Sequence, residues 1–337
     1  MEWNNDIDLS KRKMSSRLIV QRALDRGWRV CGFKSNPAVF LCYVPGRDRP
    51  ISIFSTSPPQ MSYPAAKIAK DKYITNQILG AAQLPVPKEI LIKKPAETNQ
   101  AEIQAFLEAS GKVVIKPLDA SHGKGISVNV DTMEKLAEAL NEARKHSTNA
   151  RILAQEQLEG VDVRAVCINY DFVDAISRLP AAVVGDGQNS IRELIEITNN
   201  SDERGENYKS RLNIIPYYQV ERYMGLEAMK RIPKAGEQIQ VIGVSNIGMG
   251  GIRLNVRDSL PDSLKSMAVQ AARILQLPVC GVDFIVKKAP TLQDDLDTLQ
   301  PKIIEVNECP MLTMYEDLHS PEQGKVIDLY LDYLVEH

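Results

Sequence analysis

Two apolar runs near the C-terminal end each carry an acid: VCGVDFIV holds Asp283, and KIIEVN holds Glu305 with Asn307 two residues on. Runs this apolar and this rich in β-branched residues predict buried strands. A carboxylate inside such a strand is costly unless it is paired or binds a cation. No other feature constrains the fold as much, because both strands must deliver their acids to a polar environment. Side chains alternate along a strand, so Glu305 and Asn307 share a face. If the two strands are neighbours in one sheet, Asp283, Glu305 and Asn307 converge as hard oxygen donors. That set suits magnesium, which takes a few carboxylates alongside substrate phosphates. Taken singly, each acid reads as a strand-end residue meeting solvent or a salt bridge.

A second stretch supplies the opposite charge. In VVIKPLDASHGKGISVNV, residues 113–130, Lys116 follows a β-branched run, and Ser121, His122, Gly123, Lys124 and Gly125 form a glycine-rich turn. A lysine on a strand can reach a phosphate as a point charge. Gly123 and Gly125 let backbone N–H groups approach phosphate oxygens. A plain hairpin also accounts for the turn, since neither the Walker pattern nor the G-x-G-x-x-G fingerprint is present. Arg164 in GVDVRAVCIN and Arg178 in DAISRLP each interrupt a strand-like run and can clamp an anionic group. For Arg164 alone, an ordinary exposed strand face is an equal reading. SNIGMGGIRLN adds Asn246, Gly250 and Gly251 as amide and backbone donors. His122 is the only histidine in these motifs, so a Ser–His or Cys–His nucleophile has no support.

Helical and strand periodicities alternate along the 337 residues, predicting a mixed α/β (α+β) architecture. A helix is predicted over 15–26 with Ser15 and Ser16 as caps, followed by strands WRVCGF, AVFLCYV and ISIF. PAAKIAKDKYITNQILGAAQ reads as one helix, and TMEKLAEALNEARKH as an amphipathic helix entered through Asp131. RILAQEQL, DVRAVCIN and DFVDAISRL lack long helices between them and so read as an antiparallel meander. The near-balance of 41 basic and 43 acidic residues gives no reason to expect nucleic acid or an anionic membrane as partner. Five cysteines without a C-x-x-C pair point to free thiols in a reducing compartment, not to a disulfide framework or zinc site. With no apolar signal segment and no run of membrane-spanning length, a cytoplasmic location is expected.

These pieces, in this order, resemble the ATP-grasp superfamily, in particular the ATP-grasp modules of cyanophycin synthetases and of bifunctional glutathione-forming enzymes. AAKIAKDKYITNQILGAAQLPVP is similar to the segment whose lysine, here Lys72, meets the nucleotide phosphates. VVIKPLDASHGKGISVNV resembles the second lysine, Lys116, with its phosphate-covering loop. AVVGDGQNSIRELIEITNNSDERG and MKRIPKAGEQIQVIGVSNIGMGG are similar to stretches of cyanophycin synthetases, and GVDFIV and IIEVNECP to the magnesium-bearing strands. The resemblance spans roughly residues 62–320 and is specific as an ordered series.

The resemblance implies an ATP-grasp domain over 62–337, its two α+β subdomains clasping ATP, after a small α/β unit over 1–61. The lid-forming subdomain is expected over about 85–155 and the subdomain with the magnesium strands over about 156–337. It also implies that Asp283, Glu305 and Asn307 bind magnesium, with manganese as an alternative. Lys72, Lys116, Ser121, His122, Gly123, Lys124 and Gly125 are then expected around the phosphates. Gln155, Glu156 and Leu158 are expected at the adenine, and Asp162 at the ribose. Arg178, with Lys116 and Arg164, is expected to stabilise the transferred phosphoryl group. Arg178, Asn246, Gly250 and Gly251 are expected on the substrate side. Met311 stands where such motifs often continue with glycine, so the substrate-side loop is expected to differ. The Mur-ligase-like half of a cyanophycin synthetase does not fit within 337 residues, so a complete enzyme of that kind is not expected.

The implied reaction joins a carboxylate to an amine: the carboxylate attacks the γ-phosphate of ATP, and the amine displaces phosphate from the acyl phosphate. Small-molecule partners follow, an amino acid or peptide carboxylate and an amine, in a homo-oligomer (dimer or tetramer). The alternatives are a ligase acting on a non-amino-acid carboxylate and a non-catalytic ATP-binding protein. Release of ADP with a carboxylate and an amine present separates them.

Overall fold

The N-terminal periodicity yields helix Met14–Asp25 and strands Arg29–Gly32, Val39–Tyr43 and Ile51–Phe54, paired antiparallel in sequence order. The computed structural model describes residues 7–10, 12–92, 100–118, 125–148, 151–205, 212–245, 247–316 and 325–337. Two units divide the chain: Met1–Pro87, Val163–Ile176 and Asn255–His337 in one, Lys88–Asp162 and Ser177–Leu254 in the other. The mixed α/β architecture expected from the alternating periods is the one observed.

In the first unit, helices Tyr63–Lys70 and Lys72–Ala81 follow the N-terminal sheet. A five-stranded sheet has the order Ile252–Asn255, Asp171–Leu179, Val161–Ile168, Val279–Val286, Lys302–Asn307. Positions 163–168, 171–176, 255, 279–286 and 302–307 of it lie in this unit. Val279–Val286 is buried along nearly its whole length, and helix Asp262–Ile274 packs beside it through Leu264, Met267, Ala268 and Ala271. Helix Val326–Glu336 lies against Met14–Asp25, where Arg22 and Arg26 meet Asp328.

The second unit contains a four-stranded antiparallel sheet in the order Glu89–Ile92, Ile152–Glu156, Val113–Pro117, Ser127–Val130. Helices Gln100–Ser110 and Met133–His146 supply Ile103, Leu107, Leu136, Ala139 and Ala143 to its core. A second cluster gathers around the ribbon of Ala182–Val184 with Gln238–Gln240 and helix Ile191–Asn199. That helix starts in a capping box, Ser190 with Glu193, which satisfies two otherwise unpaired N–H groups.

Four local expectations are corrected. The single helix over 64–83 is two helices, because Asp71 leaves helical geometry (φ −97°, ψ 98°) and caps the second with its carboxylate. Ser15 and Ser16 are not caps but buried residues inside the first helix, whose N-cap position is Lys13. The helix over 133–146 is capped by Thr132, which accepts from the Lys135 N–H, while Asp131 pairs with the Lys135 side chain. The three-strand meander is a two-strand hairpin: Val161–Ile168 and Asp171–Leu179 are neighbours, but Ile152–Glu156 lies in the other sheet. Asn169 and Tyr170 join the hairpin with φ +56° and +61°, the two-residue primed turn that matches strand twist.

Candidate active site

Each unit holds its own set of polar residues. In the first unit the two acid-bearing strands are direct antiparallel neighbours, with Asp283 opposite Glu305 and Gly281 opposite Asn307. Opposite residues share a sheet face, so the two acids and the amide emerge side by side. Asp283 is only 1% exposed, and Arg164 meets it with both arms of its fork, Nε to Oδ1 and Nη2 to Oδ2, each at 2.5 Å. Arg164 reaches it because Val161–Ile168 is the next strand over. Glu305 is half-buried and lies 3.4 Å from Lys72 Nζ, in the first turn of the helix that Asp71 caps. Lys70 repeats the pairing at 3.5 Å from Glu308. Asn307 buries its side-chain Nδ2 with no hydrogen-bond partner.

In the second unit Lys116 is 8% exposed on the central strand Val113–Pro117, and its Nζ donates to Gln155 Oε1 at 3.0 Å. Gln155 Nε2 in turn donates to Glu89 Oε2 at 2.8 Å, making a polar chain across three strands. Such a relay orients the ammonium. Glu156 accepts from the Lys88 N–H at 2.8 Å through its side chain, and Leu158 is half-buried just beyond the strand. Asp162 holds Arg178 by two hydrogen bonds of 2.7 and 2.8 Å. Gly125 has φ +70°, and a Cβ there would lie 3.0 Å from His146 Cβ, so the turn requires glycine. Gly250 (φ +83°) is packed against Ile215, its carbonyl taking a hydrogen bond from Arg204 at 2.8 Å, and Gly251 is buried beside it. Ser121, His122, Gly123, Lys124 and Asn246 lie outside the described residues.

The fold therefore gathers Lys72, Arg164, Asp283, Glu305 and Asn307 in one unit. In the other it gathers Lys116 with Gln155, and Asp162 with Arg178. Two positions went unread in the sequence. Glu89 opens a strand as an unremarkable first residue. Arg204 sits in a polar stretch without period, yet it is 8% exposed and bridges the Asn213 and Gly250 carbonyls. Burial lowers its guanidinium pKa from the ordinary value.

The donor set of the first unit fits a divalent cation. Two carboxylates and an amide carbonyl, from two adjacent strands, share one sheet face and are hard oxygen donors. Among the described residues no group of three or more His, Cys, Asp or Glu gathers, so two acids and an amide are what this face offers. No helix among the described residues is long and apolar enough to cross a membrane.

Residues 86–196 match the sequence profile described as the ATP-grasp domain of prokaryotic glutathione synthetase. Cyanophycin synthetase of Crocosphaera subtropica is 29% identical over 269 residues, covering 77% of this chain and 29% of that protein. The glutathione biosynthesis bifunctional protein GshAB of Listeria monocytogenes is 31% identical over 284 residues, covering 80% of this chain and 36% of that protein. The chain thus spans about a third of the length of the curated relatives it matches. Among solved structures, a bifunctional glutathione synthetase from Pasteurella multocida superposes with TM-score 0.67 at 23% identity, over 97% of this chain and 44% of that one. D-alanine–D-alanine ligase from Bacillus anthracis follows with TM-score 0.51 at 16% identity, over 82% and 69%.

Proposed function

The chain belongs to the ATP-grasp superfamily, and from that starting point we propose that it is an ATP-dependent ligase joining a carboxylate to an amine. The observation that carries the reading is the pair Asp283 and Glu305, opposite each other on adjacent strands and each matched with a cation. A nucleotide site needs anionic oxygens for a metal and cations for phosphates, and this face holds both.

Phosphoryl transfer is achieved mainly by positioning and charge neutralisation. Lys116, aimed by Gln155, neutralises phosphate oxygens of ATP. Arg178, held by Asp162 through two hydrogen bonds, is assigned to charge that develops on the transferred phosphoryl group. Lys72, 3.4 Å from Glu305, supplies a second cation for the phosphates. Asp283, Glu305 and Asn307 would hold magnesium, which when bound would neutralise charge on the phosphates. Substrate carboxylate attacks the γ-phosphorus, releasing ADP and leaving an acyl phosphate. An amine then attacks the acyl carbon, expels phosphate and leaves an amide. No covalent protein nucleophile is needed. The substrates that fit are small: an amino acid or peptide as carboxylate, and an amine.

The test is ADP release with pairs of amino acids and small carboxylates, followed by mass analysis of the product. Glu305→Ala is expected to lose ADP formation by about a hundredfold or more with the circular dichroism spectrum unchanged. Normal turnover by that variant with magnesium would refute the metal assignment. ATP binding without ADP release for any pair would favour a non-catalytic ATP-binding role.

A further inference from the structure

The N-terminal helix and sheet have no part in the chemistry above, yet their polar side chains converge on one segment. That segment, residues 308–316, leaves the strand Lys302–Asn307 directly after Asn307. Thr56, 2% exposed, donates through Oγ1 to the Pro310 carbonyl at 2.9 Å and lies 3.1 Å from Cys309 Sγ. Ser57 Oγ donates to the Glu308 carbonyl at 3.4 Å. Ser15 Oγ accepts from the Thr313 N–H at 3.3 Å and lies 3.2 Å from Thr313 Oγ1. Arg22 Nη2 donates to Glu316 Oε2, whose partner oxygen Oε1 accepts from the Ile327 N–H at 2.8 Å.

The turn that presents Thr56 is itself constrained. Ser55 is 7% exposed and takes φ +58°, a left-handed geometry unfavourable for a side chain of its kind. Its N–H donates to the Ala38 carbonyl at 2.7 Å, and its own carbonyl accepts from Ser16 Oγ at 3.4 Å. Mere coverage of a hydrophobic face calls for apolar side chains, because a buried hydroxyl is costly unless bonded. Here three hydroxyls and a guanidinium direct their hydrogen bonds to one segment, which gives it a defined position.

We infer that residues 14–57 act as an internal clamp, with Thr56 as its central positioning residue. The clamp holds residues 308–316 so that Glu305 and Asn307, at the end of the preceding strand, present their donors in fixed geometry. The consequence for Glu305 and Asn307 rests on the ligase reading above. Thr56 acts through the Pro310 carbonyl and touches no substrate.

Thr56→Val keeps the side-chain shape and removes the hydroxyl, while Thr56→Ser keeps the hydroxyl. Calorimetry on the full chain, with manganese and a non-hydrolysable ATP analogue as probe, reads the geometry of Glu305 and Asn307. Amide hydrogen exchange reads the segment. Loss of one buried hydrogen bond is expected to weaken probe affinity about five- to tenfold in Thr56→Val, with Thr56→Ser within about twofold of wild type. Exchange across 308–316 is expected to rise in Thr56→Val, with strand Val279–Val286 unchanged. Unchanged exchange in Thr56→Val overturns the clamp. Faster exchange with unchanged probe affinity overturns its positioning role and leaves Thr56 merely structural. If the wild type itself binds no probe, the ligase reading fails and the positioning role with it, an outcome told apart because wild type and variant are then equally silent.

Discussion

Asp283 is a carboxylate with 1% exposure in an apolar strand, where Arg164 meets it with two parallel hydrogen bonds. Its cost was legible in the sequence as an acid among Val, Phe and Ile. Its partner was not, because Arg164 lies 119 positions away and only strand order brings the two together. Removing one member of a buried pair leaves the other charge uncompensated. Arg164→Met is therefore expected to destabilise the protein by about 3–5 kcal/mol in urea unfolding, and adding Asp283→Asn to recover most of that loss. Equal instability of single and double variants would show that the guanidinium acts through packing. Lys72 was legible through the resemblance, as a lysine inside a single predicted helix over 64–83; that it opens a helix was not. That it rests against Glu305 was not, since helix periodicity says nothing of what a first-turn side chain meets.

At the scale of elements, apolar period located nearly every helix and strand near the site, while caps and partners were less legible. The break at Asp71 has no proline or glycine to announce it, and it appears because the carboxylate closes onto the Ile74 N–H at 3.1 Å. Between Asp131 and Thr132, both acceptable cap residues, only backbone geometry chooses: Thr132 has φ −130° and ψ 160°, and its hydroxyl faces the helix N–H groups. Thr132→Ala is expected to lower stability by about 1 kcal/mol, and Asp131→Ala by clearly less, since its exposed pair with Lys135 contributes little. Chemical denaturation of both variants checks the order. Strand Ile152–Glu156 was legible as a strand but not in its sheet. Its residues are buried on both faces, so its pattern contains no record of which neighbours it takes.

For the whole molecule, the first unit is assembled from three separated stretches of chain, so its acid-bearing strands and their cations meet only once the fold is complete. A ligand that binds the native state alone must then stabilise it. A non-hydrolysable ATP analogue with magnesium at about a hundred times its dissociation constant is expected to add about 2.7 kcal/mol, seen as a higher melting temperature. Chelating the magnesium should remove most of that gain in the wild type and change little in Glu305→Ala. A gain indifferent to the chelator would separate nucleotide binding from the metal. The mixed architecture, the acids that need a cation, the lysine on a strand and the superfamily resemblance came from the sequence alone, because each depends on side-chain chemistry over a few neighbouring positions. Which acid faces which, which cation guards it and what Ser15, Arg22, Thr56 and Ser57 bond to were decided by the tertiary structure. A strand pattern marks its buried face but leaves its partner and register open, and those two choices build the site.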